Sequence, residues 1–267
     1  MAAIQAEGTI VIAVPADAPP LAFSENGGEP QGFLVDLGGE LAETLEVEVE
    51  YMSTTSEEMY KLVSGADRRL VGDQEADVAF PLLPITEETY KVTSRELGFD
   101  VTTPYFVGHQ RLLVPSGSAV EVADDLEGAS VCSLIDPITG LDLNKVVDDL
   151  EVFDVGTPEE CAVALRKGTV DAATGADLDL VRILAELASR DVTGFEIVGE
   201  QLTTQGYAPV VVRGMAGFAS AILNGVKSDG RWLDAYNEWI AGLTGVEEAE
   251  PPGLTLEEAA ALFPIPE

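Results

Sequence analysis

The sequence predicts an α/β fold of two Rossmann-like lobes joined by two crossing strands. The first observation is a β-α-β-α-β order of motifs between residues 8 and 83, and the second is the same order between residues 129 and 176. Strands that alternate with helices indicate a mainly parallel sheet covered by helices. The third observation is a pair of extended segments, 102–114 and 200–212, which predict two passages of the chain between the lobes.

The first block opens with a strand that a proline pair ends. "GTIVIAVPADAPPLAF" (8–23) begins as an alternating β run, and "DAPP" stops it because proline cannot donate to a ladder. The segment 27–52 then predicts a turn, a helix and a strand. Its helix carries an apolar stripe at helical spacing, formed by Leu34, Leu37, Leu41 and Leu45.

A second helix and a buried strand complete this block. "TSEEMYKLVSGA" (55–66) begins with a capping box, in which Thr55 pairs with Glu58. "ADVAFPLL" (76–83) predicts a buried strand, followed by the apolar corner "FPLLPITEETYK" (80–91). Such corners are where α/β proteins place ligands.

The second block repeats this order. Its predicted elements are a strand at 129–135, a turn and helix at 136–150, a strand at 151–155, a helix at 157–168 and a strand at 169–176. The helix at 157–168 has a capping box of Thr157 with Glu160, and Pro158 occupies its first position.

The chain ends in helices and a proline-rich tail. Residues 217–243 are helical in pattern, and Thr255 with Glu258 predicts the cap of a last short helix. Trp232 and Trp239 lie seven residues apart on one helix face. They can form a stacking platform, but we favour core packing.

Composition excludes several classes of function. The 267-residue chain is 46% apolar, yet it has no apolar run long enough to span a membrane. Its net charge of −34 repels nucleic acid and anionic lipid, so we expect neither as a partner. The acidic residues indicate a solvating surface, as in a salty habitat, rather than a cation site, and we expect no metal and no cofactor.

The two cysteines, Cys132 and Cys161, lie outside any CxxC pattern. From the residues alone, one disulfide and two free buried thiols are equally good interpretations.

The order of the motifs resembles the family 3 extracellular solute-binding proteins, the amino-acid receptors of ABC transporters. Seven segments across residues 8–240 carry the resemblance. They are "GTIVIAVPADAPPLAF", "GFLVDLGGELAETL", "ITEETYK…TTPYF", "DLEG" (125–128), "ALRKGTVDAA", "GYAPVVV" and "LNGVKSDGRW".

The resemblance implies a type II periplasmic binding protein fold. Lobe 1 would comprise 8–107 plus 206–267 and lobe 2 would comprise 108–205, with hinges at 105–111 and 201–207. It also implies a Cys132–Cys161 disulfide that ties a lobe-2 strand to a helix start. We therefore expect a monomeric, extracytoplasmic protein that presents a small-molecule ligand to a membrane permease or sensor. A leader or lipid anchor would lie outside this sequence, since "MAAIQAEG" has no signal pattern.

The resemblance also shows what this chain lacks. Family members hold the ligand carboxylate with an Arg three residues after the Thr of Thr-x-x-Arg, and here Thr86 is followed by Thr89. The position of the family's ammonium-binding Asp is Ala176, with Asp177 beside it. Lys91 and Arg95 are nearby cations that can substitute for the missing Arg. The candidate ligand-binding residues are Asp17, Leu21, Phe23, Phe80, Leu82, Pro84, Thr86, Thr89, Ile138, Thr139 and Asp177.

We therefore predict an apolar cleft that binds a small organic solute other than a plain α-amino acid. One alternative is an accessory module with a degenerate cleft that partners another periplasmic protein, such as an oxidoreductase. The other is an enzyme on the same fold, a few members of which are dehydratases. We rank the enzyme last, because the only histidine, His109, lies in the crossing segment and suits a structural hydrogen bond better than general base catalysis.

Overall fold

A computed structural model describes residues 2–25, 27–63, 76–134, 142–246 and 249–253. Its contacts divide the chain into two compact units. Unit 1 comprises Met1–Val107, Gly206–Gly242 and Val246–Glu267, and unit 2 comprises Gly108–Gln205 and Leu243–Gly245. In the described part of the chain, no helix is both long and apolar enough to cross a membrane.

The first part of unit 1 builds a helix-covered sheet. Its elements are α1 (Ala2–Glu7), β1 (Thr9–Pro15), β2 (Asp17–Ala18), β3 (Ala22–Ser24), β4 (Pro30–Gln31), α2 (Phe33–Leu45), β5 (Glu48–Thr54), α3 (Ser56–Val63), β6 (Val78–Ala79), α4 (Glu87–Tyr90), a π-helix (Lys91–Glu96), β7 (Asp100–Val101) and β8 (Phe106–Gly108). All four leucines of the predicted stripe are buried on α2, so that prediction is confirmed.

Unit 2 repeats the alternation of strands and helices. Its elements are β9 (Gln110–Pro115), a 3-10 helix (Ala123–Leu126), β10 (Ser130–Ser133), a second 3-10 helix (Leu143–Lys145), β11 (Glu151–Asp154), α5 (Pro158–Lys167), β12 (Ala172–Ala176), α6 (Asp177–Ala188) and β13 (Phe195–Val198).

The chain then returns to unit 1. The returning elements are β14 (Gln205–Tyr207), β15 (Val210–Val211), α7 (Ala216–Ser228), α8 (Arg231–Tyr236) and a second π-helix (Asn237–Ala241). The last described helix, α9 (Gly242–Thr244), lies mostly in the short segment Leu243–Gly245 that belongs to unit 2. Trp232 of α8 is only 2% exposed and donates from Nε1 to the Tyr105 carbonyl at 2.8 Å, which confirms core packing for this tryptophan. Trp239 is half-buried and donates from Nε1 to Asp36 Oδ2 at 2.6 Å.

The two main sheets share one topology. Among the described residues, the strand order is β5-β1-β6-β15-β7 in unit 1 and β11-β10-β12-β9-β13 in unit 2. The first three strands of each sheet are parallel, as predicted for an α/β fold. One strand in each sheet, β15 or β9, is antiparallel to both of its neighbours. Two smaller sheets, β2-β3-β4 and β14-β8, complete the described strands.

Two predicted elements differ from the structure. The strand expected at 76–83 is regular only at Val78–Ala79, because the prolines at 81 and 84 cannot donate to a ladder. The helix expected within 136–150 is only the short 3-10 helix Leu143–Lys145 in the part of that segment that the structure describes.

Side-chain caps fix two of the predicted helix starts. Thr55 donates its N–H to Glu58 Oε2 at 2.8 Å while Thr55 Oγ1 accepts the Glu58 N–H at 3.1 Å, which confirms that capping box. At α5, Thr157 Oγ1 accepts the Glu160 N–H at 3.4 Å and Pro158 opens the helix, but the Glu160 carboxylate instead accepts the Gly156 N–H. The predicted cap of Thr255 with Glu258 lies outside the described residues.

A disulfide joins Cys132 to Cys161, with the two Cα atoms 5.7 Å apart. It ties β10 to α5, as the resemblance implied. Both cysteines are fully buried in the apolar cluster that includes Leu113, Leu180 and Ile183.

Candidate functional site

Each sheet has a switch point at the carboxyl ends of its parallel strands. In unit 1 the chain leaves β1, forms β5 on one side of it, and then crosses to form β6 on its other side. Open α/β sheets bind ligands beyond the strand ends at such a point. The residues after β1 and β6 therefore form the candidate ligand edge of unit 1, and they include the predicted Asp17 and Phe80.

At this edge, Thr86 and Thr89 hydrogen-bond to each other. The Thr86 N–H donates to Thr89 Oγ1 at 2.7 Å, and the Thr89 N–H donates to Thr86 Oγ1 at 3.0 Å. The Thr89 hydroxyl also donates to the Pro84 carbonyl at 3.1 Å. This is the reciprocal geometry of a capping box, with threonine in place of Glu, at the start of α4. Both hydroxyls are thus used to hold the helix start.

A small cavity lies beside this cap, within unit 1. Its volume is about 20 Å³, which is room for one water molecule. Corner residues and two strands line it, namely Leu83, Pro84, Ile85, Thr89, Tyr90, Val101 and Val210. Its lining is mostly apolar, and it is too small to hold an organic solute by itself.

Three other predicted residues of unit 1 have partners in the structure. Asp17 accepts the Ser56 N–H and hydroxyl at Oδ1, both at 2.8 Å, and so caps the start of α3. Phe23 is half-buried and packs edge-to-face on Trp239, with ring centroids 5.9 Å apart. The Phe80 ring lies 5.6 Å from that of Tyr105.

Burial varies among the predicted residues of this edge. Leu21 and Phe80 have no exposed side-chain surface, Thr86 is 5% exposed, Pro84 is buried and Leu82 is half-buried. Whether they contact a ligand stays a prediction.

Of the two alternative cations, only the side chain of Lys91 is described by the structure. Lys91 is exposed on the π-helix. The side chain of Arg95 lies outside the described residues, as do Ile138 and Thr139.

In unit 2 the switch point lies between β10 and β12, and Asp177 follows β12 directly. Asp177 Oδ2 accepts the His109 N–H at 2.8 Å and lies 3.3 Å from the His109 ring Nδ1, while the Asp177 N–H donates to the His109 carbonyl at 2.9 Å. These bonds fasten the start of α6 to the residue before β9. Whether His109 has only a structural role stays a prediction.

Two residues after Asp177 in α6, Asp179 forms a loose ion pair with Arg182. Their Oδ1 and Nη1 atoms are 3.8 Å apart, and Arg182 keeps only 13% of its side-chain surface exposed. Although 30% of the Asp179 side chain is exposed, burial raises the pKa of its carboxyl group to about 6, and the Arg182 guanidinium opposes this shift only in part.

Arg111 lies beside this helix start. The antiparallel pairing of β9 with β12 places it directly opposite Gly175. A Cβ added to Gly175 would lie 3.4 Å from the Asp179 Cβ and 3.5 Å from the Leu134 Cβ, so the glycine sits in the crevice between the end of β10 and α6. Arg111 Nε is buried and has no hydrogen-bond partner in the described chain.

The sequence interpretation did not include Arg111 or Asp179. The placement of Arg111 opposite Gly175 depends on the register of β9 with β12, two strands about 60 residues apart in the chain. No short-range pattern records that register.

Comparison with known proteins adds the family relationship. The family model described as bacterial extracellular solute-binding proteins, family 3, matches residues 10–244. A curated relative, the ABC transporter glutamine-binding protein GlnH of Bacillus subtilis (strain 168), is 26% identical over 248 residues, which cover 90% of this chain and 84% of the relative.

Solved structures of amino acid-binding proteins are also similar to this chain. An ancestral arginine-binding protein bound to arginine has a TM-score of 0.60 and 26% identity, covering 87% of this chain and 98% of its own. An ancestral amino acid-binding protein, described as a precursor of cyclohexadienyl dehydratase, has a TM-score of 0.62 and 21% identity, covering 90% of this chain and 98% of its own. The second likeness shows the fold alone.

Proposed function

This chain belongs to the bacterial extracellular solute-binding proteins of family 3, and on that premise we propose that it closes its two lobes on a small organic solute for an ABC-type transporter. Its homologues are amino acid-binding proteins of ABC transporters, and its family works outside the cytoplasm. We propose that its own solute is not an α-amino acid held in the family's manner.

The Thr86–Thr89 cap carries this proposal. A ligand carboxylate needs a guanidinium or several N–H donors, because an unpaired buried charge is strongly unfavourable. Position 89 supplies no charge, and its hydroxyl already donates to the Pro84 carbonyl. The Thr86 N–H, a donor that a free helix start would offer to an anion, is taken by Thr89 Oγ1.

The apolar corner at residues 80–91 favours a solute that is largely apolar. Leu83, Pro84 and Ile85 line the cavity beside the cap, and Leu82 is half-buried next to them. Pockets that are mostly apolar with a few polar points suit neutral or weakly polar organics. We propose Leu82, Pro84, Thr86 and Thr89 as the unit 1 contacts.

The test begins with the protein as purified. Native mass spectrometry should find a retained small molecule, and a thermal-shift screen should find a compound that raises the melting temperature by mass action. L-Glutamine and L-arginine, which relatives bind, should not raise it. A co-purifying protein with no retained solute would support the accessory module instead.

A gain-of-binding variant sharpens this test. Thr89→Arg should create affinity for L-glutamine or L-arginine, because hydrogen bonds to charged groups contribute about 1.5–3 kcal/mol, or roughly ten- to a hundredfold in Kd. Thr89→Gln is the matched control, of similar length without the charge. Tight binding of L-glutamine by the wild-type protein would contradict the proposal.

A further inference from the structure

The starting point is a pair of hydrogen bonds that hold the apolar corner to the two crossing segments. The Tyr105 hydroxyl donates to the Pro81 carbonyl at 2.8 Å, and the Ile85 N–H donates to the Gly206 carbonyl at 2.7 Å. Tyr105 directly precedes β8, Gly206 lies in β14, and all four residues belong to unit 1. The two bonds therefore hold the corner on both sides of residues 82–84.

Tyr105 is itself fixed firmly within unit 1. Its side chain has no exposed surface, and its ring centroid lies 5.6 Å from that of Phe80 and 6.4 Å from that of Tyr207. Its N–H donates to the Tyr207 carbonyl at 2.7 Å, and its carbonyl accepts the Trp232 Nε1–H at 2.8 Å. Burial raises the pKa of its hydroxyl group, so the group stays protonated at neutral pH and can donate.

The corner depends on such bonds because its sequence limits the others. Pro81 and Pro84 have no N–H, so neither can donate to a neighbouring strand. Pro81 is buried, and a buried carbonyl that loses its donor is unfavourable. Without the Tyr105 hydroxyl, the corner should therefore open toward water more often. A solute binds more weakly to a surface that it must first order.

We propose that Tyr105 is a positioning residue, whose hydroxyl holds the apolar corner in the conformation that receives the solute. This inference rests on the proposed function, because the corner supplies the proposed unit 1 contacts. Tyr105 also begins the outgoing crossing segment, so it links those contacts to the strands that bend when the lobes close.

The test removes the hydroxyl and keeps the ring. In Tyr105→Phe, the N–H groups of Ile85 and Thr86 should exchange with deuterated water roughly ten- to a hundredfold faster than in wild type. Their acceptors are the Gly206 carbonyl and Thr89 Oγ1, so both report the opening of the corner. Exchange is followed by NMR on the full chain.

The matched control is Tyr51→Phe. Its hydroxyl donates to the Val35 carbonyl at 2.6 Å, so the variant loses the same kind of bond in unit 1 but away from the corner. It should lower the melting temperature and leave the exchange of Ile85 and Thr86 unchanged. Equal acceleration in both variants would reflect a general loss of stability and would overturn the inference, as would unchanged exchange in Tyr105→Phe.

Retention of the solute separates positioning from stability. In native mass spectrometry, the fraction of protein that carries a retained small molecule should fall for Tyr105→Phe and stay at the wild-type level for Tyr51→Phe. If Tyr105→Phe retains as much as wild type does, this inference is wrong and the proposed function stands. If wild type retains no small molecule and no compound raises its melting temperature, both fail.

Discussion

Removal of the disulfide should destabilise unit 2 by a calculable amount. Cys132→Ala combined with Cys161→Ala leaves β10 and α5 joined only by packing and by the chain between them. Both side chains are fully buried, and alanine fits the site with less volume than the bridge it replaces. The main loss is the restraint that the bridge places on the unfolded chain.

The magnitude follows from the length of the closed loop. The two cysteines are 29 residues apart. For a loop of that length, the chain-entropy relation gives an entropy loss of the unfolded chain of roughly 12 cal/mol/K. At 25 °C this corresponds to about 3.6 kcal/mol of stabilisation. With a urea m-value of about 1–3 kcal/mol/M, the unfolding midpoint of unit 2 should fall by about 1–4 M.

Two optical signals separate the units in this assay. Both tryptophans, Trp232 and Trp239, belong to unit 1, so their fluorescence reports the unfolding of that unit only. Circular dichroism reports helices and strands of both units. In the variant we expect an early dichroism transition that tryptophan fluorescence does not follow.

Reduced wild-type protein is the control and should resemble the double variant. If the dichroism midpoint is the same with and without the bridge, the loop-entropy reasoning is refuted. A variant that loses tryptophan signal first would show that the bridge stabilises unit 1 instead.

Three further outcomes are expected. Thr86→Val should lower the unfolding free energy of unit 1 by about 1 kcal/mol, because the α4 cap is lost, and Thr86→Ser should keep it. Equal urea midpoints of Thr86→Val and wild type, followed by tryptophan fluorescence, would count against the cap. Burial lowers the pKa of Lys227 to about 8. Between that pH and about 10.5, the unfolded chain therefore binds more protons than the folded protein does. The free energy of unfolding should rise with pH across this window, by up to about 2 kcal/mol after allowance for solvent screening. Lys227→Met should flatten that pH profile of urea midpoints. Because the net charge is −34, raising NaCl from ~0.1 M to ~1 M should raise the melting temperature, and an unchanged or lower value would argue against charge repulsion.

Local patterns predicted two features of the unit 1 helices correctly. The leucine stripe of α2 and the capping box at Thr55 depend only on residues three or four positions apart, and the structure confirms both. The strand at 76–83 was predicted too long, since apolar residues favour a strand while prolines limit its hydrogen bonds. The antiparallel insertions β9 and β15 were predicted as extended segments, but their register depends on distant partners.

The candidate site was predictable only in part. The sequence shows that Thr89, three residues after Thr86, has no charge. The reciprocal hydrogen bonds between Thr86 and Thr89 were not predicted. A Thr-x-x-Thr pattern could have indicated them by analogy with the capping box.

The placement of β15 sets an order in which the sheets can be completed during synthesis. The unit 1 sheet needs β15, at Val210–Val211, to link β6 to β7, whereas the five strands of the unit 2 sheet end at Val198. A growing polypeptide therefore has all the strands of the later unit before the earlier unit can close its own sheet. We expect the N-terminal third of a nascent chain to remain incompletely folded until the middle third has emerged and folded.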